Sequence, residues 1–367
     1  MKVLLLSPYH AASHAYWCDG LMAAFPDVDW TLKTQPARHF SWRIRAAGWL
    51  WALASDSDFK QQYDLVVATC LVDVGTLKAQ CPALRDVPVW VYCHENQFAY
   101  PLSDRQQASH QTDWQFQSIV NLLSADWISF NTHFNRDTFF RGAQKLLKRF
   151  PEPLPGQPLD RLQRLSDVLP VPLTDALAEL KHQPKEADLI VWNHRWEWDK
   201  QPERFLRALV RLKEQGTPFR LAMLGYGGGR SAEFDEMRDV LAERVVQWGE
   251  VSKEAYRDWL GRAGIGVSTA IHDFQGLSML ELAQAGATVV VPNRLAYPEC
   301  LPGASFYPGS EKDAAQDVDD LVMVLTALLE GEAQPAPVRG RIPLWRELAD
   351  SYRDKMTFIA SMSLSQP

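Results

Sequence analysis

Short, uninterrupted apolar runs recur along this chain at helix-length spacing, and this pattern constrains the fold more than any other feature. The runs in the first half are Lys2–Ser7, Trp30–Thr34, Leu65–Thr69, Val89–His94, Trp127–Asn131 and Val168–Val171. Those in the second half are Leu189–His194, Arg220–Gly225, Val245–Glu250, Ile265–Ala270 and Ala287–Asn293. Uninterrupted rather than alternating apolar residues favour parallel strands that are buried on both faces. The two series therefore predict an α/β protein with two Rossmann-like, doubly wound domains.

The domain boundaries are expected around a proline-rich segment in the middle of the chain. A chain of 367 residues is too long for one ordinary core and long enough for two domains. The predicted parts are a first domain over 1–172, a linker over 173–187, a second domain over 188–342 and a C-terminal helix over 343–367.

The C-terminal stretch has apolar residues at helical spacing. Trp345, Leu348, Tyr352 and Phe358 recur at intervals that suit one helix face. We expect an amphipathic helix that closes the second domain or crosses back to the first.

Composition indicates a reduced, globular protein without a membrane partner. Five cysteines without a C-x-x-C pair argue for free thiols and a cytoplasmic location, against a disulfide or zinc framework. The first apolar run, Val3–Leu6, is too short for a signal peptide or a membrane helix. The net charge of −7 does not indicate a nucleic-acid partner, although local patches could still bind one.

The stretch 272–286 carries most of the chemical information. It lies between two predicted strands and contains a glycine, Gly276, followed by a helical segment whose N-terminus suits phosphate. Asp273 before the helix and Glu281 within it could reach the hydroxyls of a nucleotide-sugar. The candidate donor-side residues in this stretch are His272, Asp273, Phe274, Gly276, Leu277, Ser278 and Glu281.

Two cations follow the first strand of the second series. Arg195 and Lys200 lie where open α/β sheets bind ligands, and two fixed cations suit a departing pyrophosphate. Basic residues at loop edges are common, so the prediction depends on their pairing with the stretch 272–286. Further donor-side candidates near strand ends of the same series are Asn193, Gly225, Tyr226 and Glu250.

This pair of motifs resembles the GT-B glycosyltransferases of family 4, which carry Arg-x4-Lys followed by Glu-x7-Glu. Here Asp273 replaces the first glutamate. The resemblance implies that Arg195 and Lys200 hold the donor diphosphate, that Glu281 holds the donor ribose and that Asp273 contacts the transferred sugar. It also implies two domains facing a cleft and retention at the anomeric carbon by front-face displacement. No metal or other cofactor is expected, because two cations and a helix N-terminus already balance the diphosphate.

A second set of motifs is similar to the tRNA-queuosine mannosyltransferase group. The match consists of His-Glu-Asn-Gln at 94–97, Trp-Asn-His-Arg-Trp-Glu at 192–197, His-Asp-Phe-x-Gly at 272–276 and Tyr-Pro-Glu at 297–299. The segment 9–14 resembles that group's Tyr-Gly-Gly-Ser-His, with alanines in place of both glycines. The resemblance implies GDP-mannose as donor and the cyclopentenediol of queuosine in tRNA as acceptor.

The acceptor side is expected in the first domain. His94 ends a predicted strand, where it could orient the acceptor or neutralise developing charge, although a histidine there is also commonly structural. Glu95, Asn96 and Gln97 offer groups that suit hydroxyl-rich ligands. Ser13 and His14 follow the first strand, where a helix N-cap is the alternative interpretation for the serine.

Two basic stretches are candidates for contact with RNA. The segment 38–45 mixes aromatic residues with Arg38, Arg43 and Arg45, and the segment 141–149 contains Lys145 and Lys148 between two arginines. Both compositions suit phosphates and stacked bases, but both are also typical of a solvated helix face. Arg43 and Arg45 are the residues assigned to the acceptor side.

Other sites are disfavoured by their patterns. The glycine-rich segment 225–230 lacks the ending of a P-loop and the third glycine of a dinucleotide fingerprint. Asp-x-Asp at 27–29 and at 317–319 mimics a metal-binding pair without a convergent oxygen site. Three alternatives to tRNA mannosylation stay open: a family-4 transferase acting on a lipid, glycan or metabolite, a catalytically silent RNA-binding protein, and a phosphorylase or epimerase.

Overall fold

The chain forms two compact units in the computed structural model. The structure describes residues 1–54, 56–101, 108–152, 157–227, 231–333, 338 and 342–362. Unit 1 comprises Met1–Pro172 with Pro343–Pro367, and unit 2 comprises Leu173–Ile342. Each is built on a six-stranded sheet whose strand pairs are all parallel. The predicted α/β class is therefore confirmed.

The sheet of unit 1 has the order β2-β1-β3-β4-β5-β6. Its strands are β1 (Lys2–Ser7), β2 (Asp29–Thr34), β3 (Leu65–Thr69), β4 (Val89–Cys93), β5 (Trp127–Phe130) and β6 (Ser166–Val168). The intervening helices are α1 (Ala12–Ala24), α2 (Phe40–Leu53), α3 (Val74–Gln80), α4 (Ala108–Leu123), α5 (His133–Leu147) and α6 (Pro158–Arg164). The central strands β3 and β4 are buried along their whole length, as their uninterrupted apolar sequences predict.

The sheet of unit 2 has the order β12-β11-β10-β7-β8-β9. Its strands are β7 (Glu186–Trp192), β8 (Arg220–Leu224), β9 (Val245–Gly249), β10 (Ala263–Val267), β11 (Thr288–Pro292) and β12 (Ser305–Tyr307). Its helices are α7 (Pro202–Glu214), α8 (Ala232–Val240), α9 (Lys253–Arg262), α10 (Leu277–Gln284), α11 (Tyr297–Cys300) and α12 (Ala314–Leu329).

The predicted linker at 173–187 is instead part of unit 2. Asp175–His182 forms a 3-10 helix that contacts α9 and α10 and buries Leu177 and Leu180. Strand β7 then begins at Glu186. The two buried leucines explain why this segment is packed rather than extended.

The C-terminal helix, α13 (Trp345–Ser361), belongs to unit 1. It contacts α1, β3 and β4, and the hydroxyl of its buried Tyr352 donates to the Pro170 carbonyl at 3.0 Å. Of the two placements considered for this helix, the structure has the one that returns to the first unit. The predicted core residue Phe358 is half-exposed, and the next residue, Ile359, is buried instead.

The strand orders indicate where each sheet can bind a ligand. Chain order reverses between β1 and β3 in unit 1 and between β7 and β10 in unit 2. Ligands of open α/β sheets bind outside the carboxyl ends of the strands at such reversals. The segments after β7 and after β10, which contain most of the predicted donor residues, therefore meet at this point of unit 2.

Among the residues that the structure describes, no helix has the length and apolar character needed to cross a membrane.

Candidate active site

Two segments at the carboxyl edge of the unit 2 sheet are joined by hydrogen bonds. The Ile271 N–H donates to the Asp199 carbonyl at 2.9 Å. The Thr269 hydroxyl lies 2.9 Å from the carbonyl oxygens of both Lys200 and Gln201. These bonds fix the segment after β10 against the segment after β7, and the predicted cation Lys200 lies at their junction.

Lys200 is a buried cation held by two carboxylates. Its Nζ donates to the His272 carbonyl at 2.7 Å and lies 3.4 Å from the nearer oxygens of Asp199 and Asp273. Burial opposes the charge, but the carboxylates of Asp273 and Asp199 outweigh burial and hold the pKa of Lys200 above its ordinary value. Lys200 therefore stays protonated at neutral pH.

Asp273 fixes the turn before α10. It accepts from the Gly276 N–H at 3.0 Å and from the Tyr297 hydroxyl at 3.1 Å. Burial raises the pKa of this carboxyl, but Lys200 and the neighbouring histidines lower it by more than burial raises it. The pKa of Asp273 is therefore below its ordinary value. Aspartate is common in turns of this kind because its short side chain reaches the backbone a few residues ahead. Within the protein, Asp273 therefore orders the turn and balances Lys200.

Gly276 allows α10 to begin directly beneath an aromatic ring. Its φ is +75°, a left-handed conformation that favours glycine, and an added Cβ would lie 2.7 Å from Cε1 of Tyr297. No side chain at this position caps the helix, which leaves the first N–H groups, near Leu277 and Ser278, as potential anion donors.

Glu281 is the end of a chain of hydrogen bonds that the sequence motifs do not reveal. The Tyr256 hydroxyl on α9 donates to Glu281 at 2.5 Å. Asn193 Nδ2 donates to that hydroxyl at 2.9 Å and to the Ser278 carbonyl at 3.0 Å. Burial raises the pKa of Glu281 to about 7, and the Tyr256 bond opposes the rise. Tyr256 was missed because it is one residue of an ordinary amphipathic helix, far from both motifs in sequence.

Arg195, the second predicted cation, has a different environment from Lys200. Its side chain is half-exposed, and its guanidinium donates to Glu197 at 2.7 Å. The motif thus combines one buried cation with one surface cation.

His194, between Asn193 and Arg195, is a second residue that sequence reasoning missed. It is almost fully buried, and neither ring nitrogen has a hydrogen-bond partner among the described residues. Burial lowers the pKa of His194 to about 4, so the ring is neutral at neutral pH. A buried polar group of this kind is costly unless a ligand or water satisfies it. We therefore count His194 with the donor-side residues.

The remaining donor-side candidates vary in burial. His272 and Phe274 are buried with their rings edge to face at 4.7 Å, and burial lowers the pKa of His272. Gly225 has a φ of +98°, and an added Cβ would lie 2.3 Å from the His194 carbonyl oxygen. Tyr226 is exposed, and Glu250 is exposed just after β9. The segment 228–230 of the glycine-rich turn lies outside the described residues.

In unit 1, His94 follows β4 and lies in an aromatic cluster. Its ring centroid is 4.5 Å from that of His14, 4.7 Å from that of Tyr92 and 4.9 Å from that of Trp17. Burial lowers the pKa of His94 well below its ordinary value, and the proximity of His14 lowers it further. Neither ring nitrogen bonds to another described residue. His94 is thus neutral at neutral pH and can exchange hydrogen bonds, but it supplies no fixed positive charge.

The two residues predicted near the start of the chain have separate roles. His14 is buried, its Nδ1–H donates to the Tyr9 carbonyl at 2.7 Å, and burial lowers its pKa to about 4. Its ring is tilted by 40° against the ring of His94. Ser13 is exposed on α1, whose N-cap residue is Ala11, so the N-cap interpretation of Ser13 is wrong.

Asn96 has a structural role rather than the ligand-binding role expected for it. Its Nδ2 lies within 3.0 Å of acceptors on Asn135 and Thr138, and its Oδ1 accepts from the N–H groups of Phe98 and Ala99. The amide is therefore fully used in shaping the turn after β4. Gln97 is buried and Glu95 partly buried beside it.

The first basic stretch is largely satisfied within the protein. On α2, the Arg43 guanidinium donates to Gln35 at 2.8 Å, and Arg45 forms an ion pair with Asp113 at 2.6 Å. Phosphate contacts by these two arginines would have to displace these partners.

Both Asp-x-Asp pairs have structural partners. Asp27 forms an ion pair with Arg353 at 2.7 Å, and fully buried Asp317 bonds to Arg204 at 2.9 Å and to Arg294 at 3.0 Å. In the described ranges, no three or more His, Cys, Asp or Glu residues are arranged to hold a metal ion. All five cysteines are free thiols.

Comparisons with known proteins agree with these motifs. Residues 2–173 match the family described as tRNA-queuosine alpha-mannosyltransferase N-terminal, and residues 187–323 match Glycosyl transferases group 1. The tRNA-queuosine alpha-mannosyltransferase of Drosophila melanogaster is 27% identical over 316 residues, which is 83% of each chain.

Similar solved structures show the fold. Sucrose-phosphate synthase from Thermosynechococcus elongatus matches with a TM-score of 0.65 at 12% identity, covering 99% of this chain and 100% of the other. Anabaena HepE in complex with UDP and glucose matches with a TM-score of 0.61 at 12% identity, covering 98% and 100%. From the two family matches and this fold, the chain is a glycosyltransferase of the GT-B fold whose first unit matches the N-terminal domain of the tRNA-queuosine alpha-mannosyltransferases.

Proposed function

We propose that this glycosyltransferase moves mannose from GDP-mannose to the cyclopentenediol of queuosine in tRNA, in the cytoplasm and with retention at the anomeric carbon. The acceptor is supported by the match of residues 2–173 and by the Drosophila relative of that name. The donor and the stereochemistry follow from the resemblance of the motifs and are part of the proposal.

The observation that carries the transferase chemistry is the buried ion pair of Lys200 with Asp273 beside the start of α10. A nucleoside diphosphate gains negative charge as its bond to the sugar breaks. A desolvated ammonium group and uncapped helix N–H groups stabilise such charge, because they are fixed before the reaction begins. Arg195, on the surface, adds a second cation that can swing from Glu197 onto the diphosphate.

Glu281 is the proposed ligand of the donor ribose. One of its oxygens accepts from Tyr256, so the carboxylate is oriented before the donor arrives. Asn193 in turn orients Tyr256. His194 offers ring nitrogens to the donor from the same strand end. Asp273 is proposed to contact the sugar hydroxyls while it keeps Lys200 in place.

The bond changes are those of a front-face displacement. A cyclopentenediol oxygen attacks the anomeric carbon on the face from which the diphosphate departs. The acceptor proton passes to an oxygen of the departing diphosphate, and GDP is released. Neutral His94 can accept a hydrogen bond from the acceptor and orient it. No step in this scheme uses a metal, so we expect turnover to be insensitive to EDTA.

The test is a panel of donors with queuosine-containing tRNA, followed by mass spectrometry of the digested nucleosides. We expect a hexose on queuosine with GDP-mannose and little or none with UDP-sugars. Transfer from another donor would overturn the choice of GDP-mannose. Donor consumption with a lipid or glycan acceptor but not with tRNA would support a different family-4 activity. Absence of GDP binding by calorimetry would support a silent RNA-binding protein.

A further inference from the structure

Four exposed cations lie in a single stripe along the end of α5 and the turn that follows it. Arg141, Lys145, Lys148 and Arg149 follow one another at helical spacing, and all four are exposed. The opposite face buries Phe139, Phe140, Ala143 and Leu146 in the core of unit 1. We call the four exposed residues the α5 basic face.

The α5 basic face is not neutralised by the protein. None of the four cations forms an ion pair with another described residue, and the run 141–149 contains no carboxylate. Elsewhere, several partly exposed arginines have carboxylate partners, for example Arg220 with Asp188 at 2.6 Å and Arg207 with Glu233 at 2.5 Å. One or two cations near the end of α5 would complement its dipole, but four exceed that need. Because the whole chain has a net charge of −7, this cluster is a local concentration of positive charge and does not reflect the overall composition.

An exposed aromatic pair adjoins the stripe. Phe150 directly follows Arg149, and its ring lies 5.4 Å from that of Phe116 on α4. The two residues are 39% and 42% exposed, which is unusual for large apolar side chains. Phosphate-binding cations next to exposed aromatic rings are the combination that binds single-stranded or looped RNA, because the rings stack on unpaired bases.

The position of the α5 basic face suits a long acceptor. Helix α5 begins beside the predicted acceptor residue, since Asn131 Nδ2 just before it donates to the His94 carbonyl at 3.0 Å. It then runs antiparallel to β5, so Lys145 lies roughly 20 Å along the helix from that end. A small acceptor held at His94 does not reach so far, whereas a tRNA does. Asp137 and Asp160 lie near Arg141, so the end from Lys145 to Phe150 is the more basic one.

We propose that the α5 basic face and the Phe116–Phe150 pair bind the phosphate backbone and an unpaired base of the tRNA acceptor. This inference rests on the proposed function, because it assigns the surface by which the same reaction holds its RNA. It also moves the main RNA contact from α2, where Arg43 and Arg45 have protein partners, to α5.

The test measures the tRNA affinity of two double charge-reversal variants, one on the α5 basic face and one elsewhere. Affinity is measured by fluorescence anisotropy at several salt concentrations. In Lys145→Glu/Lys148→Glu we expect tRNA affinity to fall at least about tenfold. The slope of log K against log salt should fall by about 1 to 2, since each lost phosphate contact removes nearly one unit. The control Lys60→Glu/Arg85→Glu changes two exposed cations elsewhere on unit 1 and should bind like wild type. GDP affinity should be unchanged in both.

Two further variants separate stacking and folding effects from charge. Phe150→Ala should weaken tRNA binding about five- to tenfold with an unchanged salt slope, because stacking involves no counterion release. Lys145→Gln/Lys148→Gln removes the charges without adding repulsion at the helix end, so it replaces the reversal pair if that pair folds poorly.

The outcomes distinguish this surface from the proposed function. If wild type mannosylates queuosine in tRNA but Lys145→Glu/Lys148→Glu binds tRNA as tightly as wild type, the α5 surface is wrong and the function stands. If wild type neither binds nor modifies tRNA, both fail. Binding to phosphatidylserine vesicles that the reversal abolishes, with tRNA affinity unchanged, would assign the face to a membrane and overturn the RNA proposal.

Discussion

Lys200 and Arg195 stand five residues apart in one motif, but the structure gives them different surroundings. Lys200 is enclosed by two carboxylates and a carbonyl, whereas Arg195 is half-exposed with one partner. The sequence predicts both as cations of the donor site. It does not distinguish them, because burial depends on the segment after β10, more than sixty residues away.

This difference predicts separable effects of two substitutions. Lys200→Ala should lower kcat by about 10²–10³-fold and the free energy of unfolding by about 3 kcal/mol, since it leaves Asp199 and Asp273 buried without a cation. Arg195→Ala should lower kcat by about tenfold or more but change the free energy of unfolding by less than about 0.5 kcal/mol. Steady-state kinetics measures kcat, and urea unfolding measures the free energy of unfolding, in each variant. Equal losses of stability in the two variants would contradict the account.

Glu281 should make donor binding dependent on pH through Tyr256. The pKa of Glu281 is about 7 against an ordinary 4.5, so between these values the native protein holds a proton that the unfolded chain has released. Stability therefore falls as pH rises through this window, while the carboxylate form that accepts from ribose increases. Because the Tyr256 bond lowers this pKa, Tyr256→Phe should raise it.

We expect Tyr256→Phe to raise the KM for GDP-mannose about three- to tenfold at pH 7, since one charge-assisted hydrogen bond is lost. The acidic limb of the KM profile should move to higher pH. Tyr63→Phe, which removes a hydroxyl bond to the Asp58 carbonyl in unit 1, is the matched control and should leave the profile in place. If KM rose by the same factor at every pH and the acidic limb of its profile stayed in place, Tyr256 would act by packing alone.

At the scale of single elements, α10 depends on the glycine at its start. Gly276 has a φ of +75°, and a Cβ added there would lie 2.7 Å from the Tyr297 ring. Gly216 has a φ of +82°, and a Cβ added there would meet no atom within 4 Å. Gly276→Ala should therefore introduce both backbone strain and a clash with Tyr297, whereas Gly216→Ala should introduce backbone strain alone.

The prediction is a loss of about 1 kcal/mol in the free energy of unfolding for Gly216→Ala and of about 2–4 kcal/mol for Gly276→Ala. Only Gly276→Ala should also weaken GDP binding, because it moves the start of α10. Urea unfolding and calorimetry measure the two quantities. Similar stability losses together with unchanged GDP affinity would show that the turn does not shape the donor site.

Most elements follow from the sequence, and the exceptions have physical reasons. Eleven strands are predicted from apolar runs, but β12 is missed because it has three residues between Pro302-Gly303 and Pro308-Gly309. The strand expected at 168–171 is observed at Ser166–Val168, because β5 pairs with the more polar residues that precede the run. Local patterns cannot specify such pairing.

At the scale of the whole molecule, the sequence predicts the fold class and the donor motifs but not the partners of charged residues. Asp317 belongs to an apparent metal pair in the sequence and to two arginines in the structure. Arg43 and Arg45 belong to a basic stretch in the sequence but have protein partners in the structure. The four cations of the α5 basic face have no ion-pair partner among the described residues. Charge pairing between distant elements decides which surface is available to RNA.

The central claim is tested most directly by one matched comparison of acceptors. GDP-mannose is incubated with wild type and either a tRNA that carries queuosine or the same tRNA with guanosine at that position, and the digested nucleosides are analysed by mass spectrometry. We predict one hexose on queuosine in the first tRNA, none in the second, and a rate about 10²–10³-fold lower with Lys200→Ala. Equal incorporation into both tRNAs, or no incorporation into either while GDP-mannose is consumed on another acceptor, would contradict the account.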